Sequence, residues 1–377
     1  MINKLTTRRG DKRHHRKETM KLFKCQQCDQ LLYFENTLCE RCGHPLGYLW
    51  QVDEISALTE THDGTWQAMA APDRRYRSCA NAVHAVCNWL LPVDTVDTLC
   101  LACQLNSTIP NLSDPTYLAH WRKLEFAKHR LVYTLLHFGL PVINKSIDPT
   151  LGLAFDFLGP DAQGRVITGH ADGLITINID EADDAERERV RQAMGEPYRT
   201  LLGHFRHEVG HYYWQRFAQS AEWLTAFRRR FGDEQQDYGQ ALSTHYQQGE
   251  SVEWTSNFVS PYASSHPWED WAETWAHYLH IIDALETAYA FGLRVRPKIK
   301  SDENLAVTVD FNAYNQSDFA EIVEAWLPLT FALNSLNRSM GLLDLYPFVL
   351  SSTVIEKMAF VHNSIRQQAN YTHDALQ

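Results

Sequence analysis

Apolar positions divide the chain into two unlike stretches. From about residue 117 they recur at helical spacing: Leu118, Trp121, Leu124, Phe126, Leu131, Leu135 and Phe138 make one side mainly apolar and predict a helix after the turn-rich TIPNLSDPTY segment. Past Gly139 and Pro141 the period shortens to that of strands. LAFDFLG, within 151–159, alternates in part, and GLITINI, 173–179, sets Leu174, Thr176 and Asn178 opposite Ile175, Ile177 and Ile179. Helical spacing then returns over 181–194, 197–217, 222–231, 267–290, 317–338 and 352–368. Between Lys21 and Ile109 such core-building periodicity is scarce. No fixed-period repeat and no long Ser, Gly or Pro linker occurs, so the boundary is a turn. The expected architecture is α+β: a cysteine-rich unit over 21–110, then a mostly helical unit with a small sheet over 111–370.

Composition narrows the class. With 377 residues, 44% apolar and 12% aromatic, and only 14 prolines and 18 glycines, the chain is neither collagenous nor wholly disordered. No apolar run approaches the roughly 18 residues of a membrane span. The formal charge of −11 is unevenly spread: residues 1–20 hold seven bases and two acids, a net +5, which leaves −16 on the remainder. That body disfavours phosphate contacts, so neither nucleic acid nor membrane is an expected partner. The basic stretch has no apolar segment of a secretory signal and is read as a disordered leader of a cytoplasmic protein.

The eight cysteines fall in clusters, and in a reducing compartment clustered thiols point to metal. Cys25-x2-Cys28 and Cys39-x2-Cys42 are two knuckles whose backbone amides face the sulfurs, and they bring four thiolates to a tetrahedron about 2.3 Å from one zinc ion. Gly43 suits the second knuckle. Such a closed site folds the segment and does no chemistry. Cys100 and Cys103 form a third knuckle, and with Cys79 and Cys87 they suggest a second four-thiolate zinc. The bland alternative is core packing, because Cys79, Val83, Val86 and Leu90 would share one helical face.

The chemistry is concentrated in TLLGHFRHEVGHYYWQRF. His207 and His211, four apart, can reach one metal from one helix face, and Glu208 can reach a water held by it. A catalytic zinc takes three protein ligands and keeps one open position. The metzincin pattern would place Gly at 214 and His at 217, where this chain has Trp214 and Phe217. Downstream, YASSHPWEDWAETWAHYLHI carries Glu269 and Glu273 one helical turn apart, so one can bind metal while the other holds the outer nitrogen of a ligating histidine. Glu269 is assigned as the ligand and Glu273 as its support. The other register, Glu273 on the metal with His277 behind it, stays open, and Asp270 points about 100° away. His204 shares the histidine face but would fill the open position, so it is read as a flanking residue. His266, His277 and His280 take no ligand role.

At these residues the chain resembles the bacterial zinc-binding metallopeptidases that pair an N-terminal zinc ribbon with a zincin-like domain of the gluzincin type. The resemblance runs from about Lys21 to Gln368, through the cysteine framework, CNWL, LNSTIPNLSD, HFRHEVGHYYW, HPWEDWAETWAHYLHI, LYPFVLS and FVHNSI. It implies a zinc peptidase cleaving a peptide or isopeptide amide, with Glu208 as general base. The seven-residue spacing from Tyr262 to Glu269 is similar to that of lethal-factor-type zincins and implies a phenol facing the metal, where it could donate to an oxyanion; a Tyr before such a turn also serves in simple packing. By analogy with zincins, GLITINI is the expected edge strand for the substrate backbone. Two rival classes remain: a zinc-ribbon adaptor that binds a protein partner and carries an inactive HExxH site, and a zinc hydrolase of a non-peptide amide.

Overall fold

The computed structural model describes residues 22–160, 166, 168–248, 254–298 and 305–374. The basic leader, 1–20, lies outside them. The first unit opens on the two knuckles, where Asp29 (φ 58°) and Gly43 (φ 73°) take the left-handed conformation that turns the chain back after each CxxC. A short antiparallel pair, β1 (Phe23–Lys24) and β2 (Leu31–Leu32), flanks the first knuckle. Then comes an antiparallel sheet in sequence order: β3 (Leu46–Leu49), β4 (Glu54–Glu60), β5 (Trp66–Ala68), β6 (Arg75–Ser78) and β7 (Leu90–Pro92).

This sheet lies in the stretch before Ile109 where core-building periodicity is scarce in the sequence. Its strands are three to seven residues long, mostly too short for periodicity to register. The helical face proposed for Cys79 to Leu90 is also absent. Residues Ala80–His84 form only a 3₁₀ turn, Leu90 belongs to β7, and Val83 is 83% exposed.

The second sheet has the order β10-β11-β9-β8, built from β8 (Asn106–Thr108), β9 (Ala154–Leu158), β10 (Gly169–Ala171) and β11 (Leu174–Asn178). Strands β8, β9 and β11 run parallel, and β10 is antiparallel to β11. GLITINI is therefore not the edge strand. It is β11, and the edge beside it is taken by β10, because Asp172 (φ 49°) and Gly173 (φ 81°) form a two-residue hairpin that folds β10 back onto it. Positive φ at both loop residues matches the right-handed strand twist.

Helix α1 (Pro115–His137) starts where the chain dictates: the Asp114 side chain accepts from the amides of Thr116 and Tyr117, and Pro115 occupies the first turn. The remaining helices are α2 (Asp184–Ala193), α3 (Leu201–Phe217), α4 (Ala221–Phe231), α5 (Tyr238–Gln248), α6 (Trp254–Asn257), α7 (Pro267–Ala290), α8 (Phe319–Ser339) and α9 (Ser352–Asp374), with a small pair β12 (Arg294–Val295) and β13 (Val307–Thr308) before α8. α5 and α6 were not expected. None of the residues described in 238–247 is buried, so α5 lacks the apolar stripe that announces a helix.

α3 and α7 cross at the centre of the helical part. A Cβ on Gly210 would lie 3.1 Å from Cα of Ala272 and from the Trp275 ring, so the glycine of HEVGH permits the close approach. The Trp271 indole N–H donates to the carbonyl of Gly210 at 2.8 Å. One continuous set of buried residues runs from Phe23 to Ile365. Phe34 packs 5.2 Å from Tyr133 of α1, Arg130 pairs with Glu35, and His137 lies 2.9 Å from Asp53. Among the described residues no helix is long and apolar enough to cross a membrane.

Candidate active site and metal centres

Both cysteine groups are assembled. The sulfurs of Cys25, Cys28, Cys39 and Cys42 gather within 4.8 Å, as do those of Cys79, Cys87, Cys100 and Cys103. Cys25 to Cys42, Cys28 to Cys39 and Cys87 to Cys100 are each 3.6 Å apart. A tetrahedron of thiolates on zinc has edges of about 3.8 Å, so both groups have the donor set and the size to hold the ion. In the first, backbone amides of Cys42 and Arg41 favour the thiolate of Cys39 and bring its pKa down to about 7. In the second, all four sulfurs are buried. There the Cys79 sulfur accepts from the amide of Cys100 at 3.3 Å, and the Cys87 sulfur from that of Trp89 at 3.4 Å.

The third group comes from α3 and α7. Thr200 caps α3 by accepting from the amide of Gly203, and α7 begins at Pro267 with His266 as its cap. His207 and His211 project from one face of α3, and their Nε2 atoms lie 3.2 Å apart. Glu269, on the first turn of α7, brings Oε2 to 3.0 Å from Nε2 of His207 and 3.5 Å from Nε2 of His211. That oxygen is buried and makes no well-directed hydrogen bond. Three electron pairs thus converge on one point. Zinc bound by N, N and O at about 2.05 Å would need ligand separations of about 3.3 Å, and the residues fit it.

Glu273 takes the supporting position. Its Oε1 lies 2.7 Å from Nδ1 of His207, fixing the ring with Nε2 turned toward Glu269 and His211. Its Oε2 accepts from the Ser260 hydroxyl at 2.7 Å, and the same hydroxyl accepts from the amide of Ala263 at 3.1 Å, which ties the turn Tyr262–Ser265 to the site. The alternative register is not built: Nδ1 of His277 meets the Tyr346 hydroxyl at 2.8 Å, and Asp270 receives Lys357 at 2.6 Å. Burial opposes ionisation of Glu273, but its bond to His207 prevails and holds it at about 2. Glu208 is buried on α3, beside His207, and burial raises its pKa above the usual carboxylate value. The Tyr262 ring lies 6.0 Å from that of His207, and burial, together with the Glu269 charge, raises its pKa. His204 turns to Glu181.

Residues 117–364 match the family described as "Putative zinc-binding metallo-peptidase", and residues 22–114 match a zinc-ribbon domain. The chain belongs to that metallopeptidase family. Relatives in Mycobacterium tuberculosis (strains CDC 1551 / Oshkosh and ATCC 25618 / H37Rv) and Mycobacterium bovis are 44% identical over 351 residues, which is 93% of this chain and 96% of theirs; each bears the name uncharacterized protein. No solved structure shows a significant match.

Several residues around the His207, His211 and Glu269 group, and around the second cysteine group, have no motif that announces them. Tyr238 donates its hydroxyl to Oε1 of Glu269 at 2.7 Å from α5, and Ser260 reaches Glu273 from a loop. His170, on β10, packs its ring 6.3 Å from His211 and 6.2 Å from Trp268. Beside the second cysteine group, Nε2 of His129 sits 3.9 Å from Cys100 and 3.8 Å from Cys103, while Glu125 receives Lys128 and the Trp121 indole. The last trio had a cue: Glu125, Lys128 and His129 interrupt the apolar side of α1 at spacings of three and four.

Proposed function

We propose that the protein is a zinc-dependent peptidase whose centre is His207, His211 and Glu269, with Glu208 as the proton carrier. The observation that carries this reading is the convergence of Nε2, Nε2 and Oε2 on one point, with a buried carboxylate one residue along from the first histidine. When bound there, the ion supplies a water of lowered pKa and polarises the scissile carbonyl. Glu208, brought by burial nearer the working pH, accepts the water's proton and delivers it to the leaving nitrogen. Tyr262, kept protonated by burial and by the Glu269 charge, donates to the oxygen where negative charge develops. Glu273 holds the His207 ring throughout. An extended substrate pairs with β10, the outermost strand of this sheet among the described residues, which lies against α3 through His170 and Tyr212. The two cysteine groups hold structural zinc.

The test is a zinc-loaded chain incubated with a mixture of peptides from a digested proteome, with new termini read by mass spectrometry. The wild type should hold three ions, two in the cysteine groups and one in the histidine group, and should generate new termini. His207→Ala should lose one ion. Glu208→Gln should keep all three and generate no new termini. Equal cleavage by Glu208→Gln removes that residue from the mechanism, and no cleavage by the loaded wild type refutes the peptidase reading.

A further inference from the structure

The two oxygens of Glu269 have different surroundings. Oε2 is buried against the imidazole pair, at 3.0 and 3.5 Å, while Oε1 accepts the Tyr238 hydroxyl at 2.7 Å. A carboxylate left to itself can turn about its last bond and offer either oxygen, or both, to a cation. A phenol on one oxygen removes that freedom.

Tyr238 is itself held in place, although α5 has no buried residue among those described. Its ring stands edge-on to His266 at 5.2 Å and to Trp268 at 5.9 Å. His266 fixes the geometry from behind. Its Nδ1 accepts from the amide of Trp268 at 3.1 Å as the cap of α7, so its proton sits on Nε2, which donates to the carbonyl of Gln236 at 3.2 Å. Gln236, two residues before Tyr238, is thereby tied to the helix start that carries Glu269, three residues beyond His266. The path from His266 through Gln236 and Tyr238 to Glu269 closes on itself.

We propose that Tyr238 is a positioning residue for Glu269: its hydroxyl holds Oε1 so that Oε2 alone faces His207 and His211, and the bound ion is retained by a single oxygen of that side chain. This rests on the metal-centre reading above. Partners of ligating side chains typically contribute ten- to a hundredfold to metal affinity.

The experiment uses the full zinc-loaded chain. Tyr238→Phe keeps the ring and removes only the hydroxyl, so it should release the ion of the histidine group to a chromogenic chelator roughly ten- to a hundredfold faster than wild type. The ions of the cysteine groups should stay in place, and the melting temperature should match wild type when both chains are compared with the histidine group emptied. In the cobalt(II)-loaded chain the visible absorption of the histidine site should shift, a change that loss of mere packing would not cause. His266→Asn keeps a side chain able to cap α7 and drops the bond to Gln236; it should move release and spectrum in the same direction by less. Release and spectrum equal to wild type in Tyr238→Phe overturn the proposal. A wild type that binds no ion at the histidine group overturns the metal-centre reading itself, and is recognised before any variant is compared.

Discussion

Gly210→Ala tests whether the α3–α7 crossing sets the site. In an isolated helix the change would stabilise by about 1 kcal/mol, since glycine is the poorer helix former. Here the new Cβ would sit 3.1 Å from Cα of Ala272 and 3.1 to 3.2 Å from the Trp275 ring. Neither can yield easily: the first is backbone, and the second is fully buried and stacked 5.1 Å from Tyr213. Carbon contacts relax at about 3.5 to 4.0 Å, so α7 must retreat by roughly half an ångström. Overpacking of this kind costs about 1–3 kcal/mol, and after the helix gain the net expectation is a destabilisation of up to about 2 kcal/mol. Ala272 lies one turn from Glu269, so the retreat also shifts Oε2 relative to His207 and His211 by about the tolerance of a working site. Urea unfolding should show the lower midpoint, and ion analysis should show loss from the histidine group with the cysteine ions retained. A Gly210→Ala chain as stable as wild type, holding its full complement of ions, would refute the reasoning.

Two further perturbations probe other parts of the same frame. Glu273→Gln preserves an acceptor for His207 and removes the charge; the histidine group should bind its ion about ten- to a hundredfold more weakly, read by competition with a chelator, and unchanged affinity would show that the carboxylate charge is idle. Lys357→Met leaves Asp270 buried without its 2.6 Å partner and should cost about 3–5 kcal/mol. The pH dependence has a definite sign: burial, partly offset by Lys357, raises Asp270 from 3.8 to about 7, so the folded state holds this proton more tightly than the unfolded one and its contribution falls as pH rises between those values. Removing the lysine extends the window upward, so the gap between variant and wild type in urea should be wider at pH 8 than at pH 5; a gap that narrows contradicts the assignment.

What could be read from the sequence was what depends on local spacing. His207 and His211 meet because four residues make about one helical turn, and Glu269 and Glu273 meet opposite nitrogens of His207 because they too are one turn apart. The cysteine knuckles are equally local. The misses have a common physical origin. β3 to β7 are too short for alternation to stand out, and so is the three-residue β10, whose one cue is the Asp172-Gly173 hairpin signal; without it β11 reads as an edge. Tyr238 reaches Glu269 across 31 positions, from a helix with no apolar stripe, and Ser260 reaches Glu273 from a loop. No periodicity encodes contacts of that kind, since they exist only once α7 has docked.

The docking of the ribbon bears on what the cysteine groups are for. Phe34, Tyr48 and Trp89 bury their rings in the same core as Tyr133, so the first unit does not present these side chains to a partner. Asp53 grips His137 at the end of α1, and the second cysteine group lies against His129 in its middle. From the same helix Tyr133 donates to Glu286 at 2.8 Å and Thr134 to Asp283 at 2.9 Å, both on α7, while Arg206, the residue before His207, also pairs with Asp283. Metal binding to cysteine groups is folding free energy. Metal held by the cysteine groups would deliver that free energy to α1, and α1 is a surface on which both site-bearing helices rest.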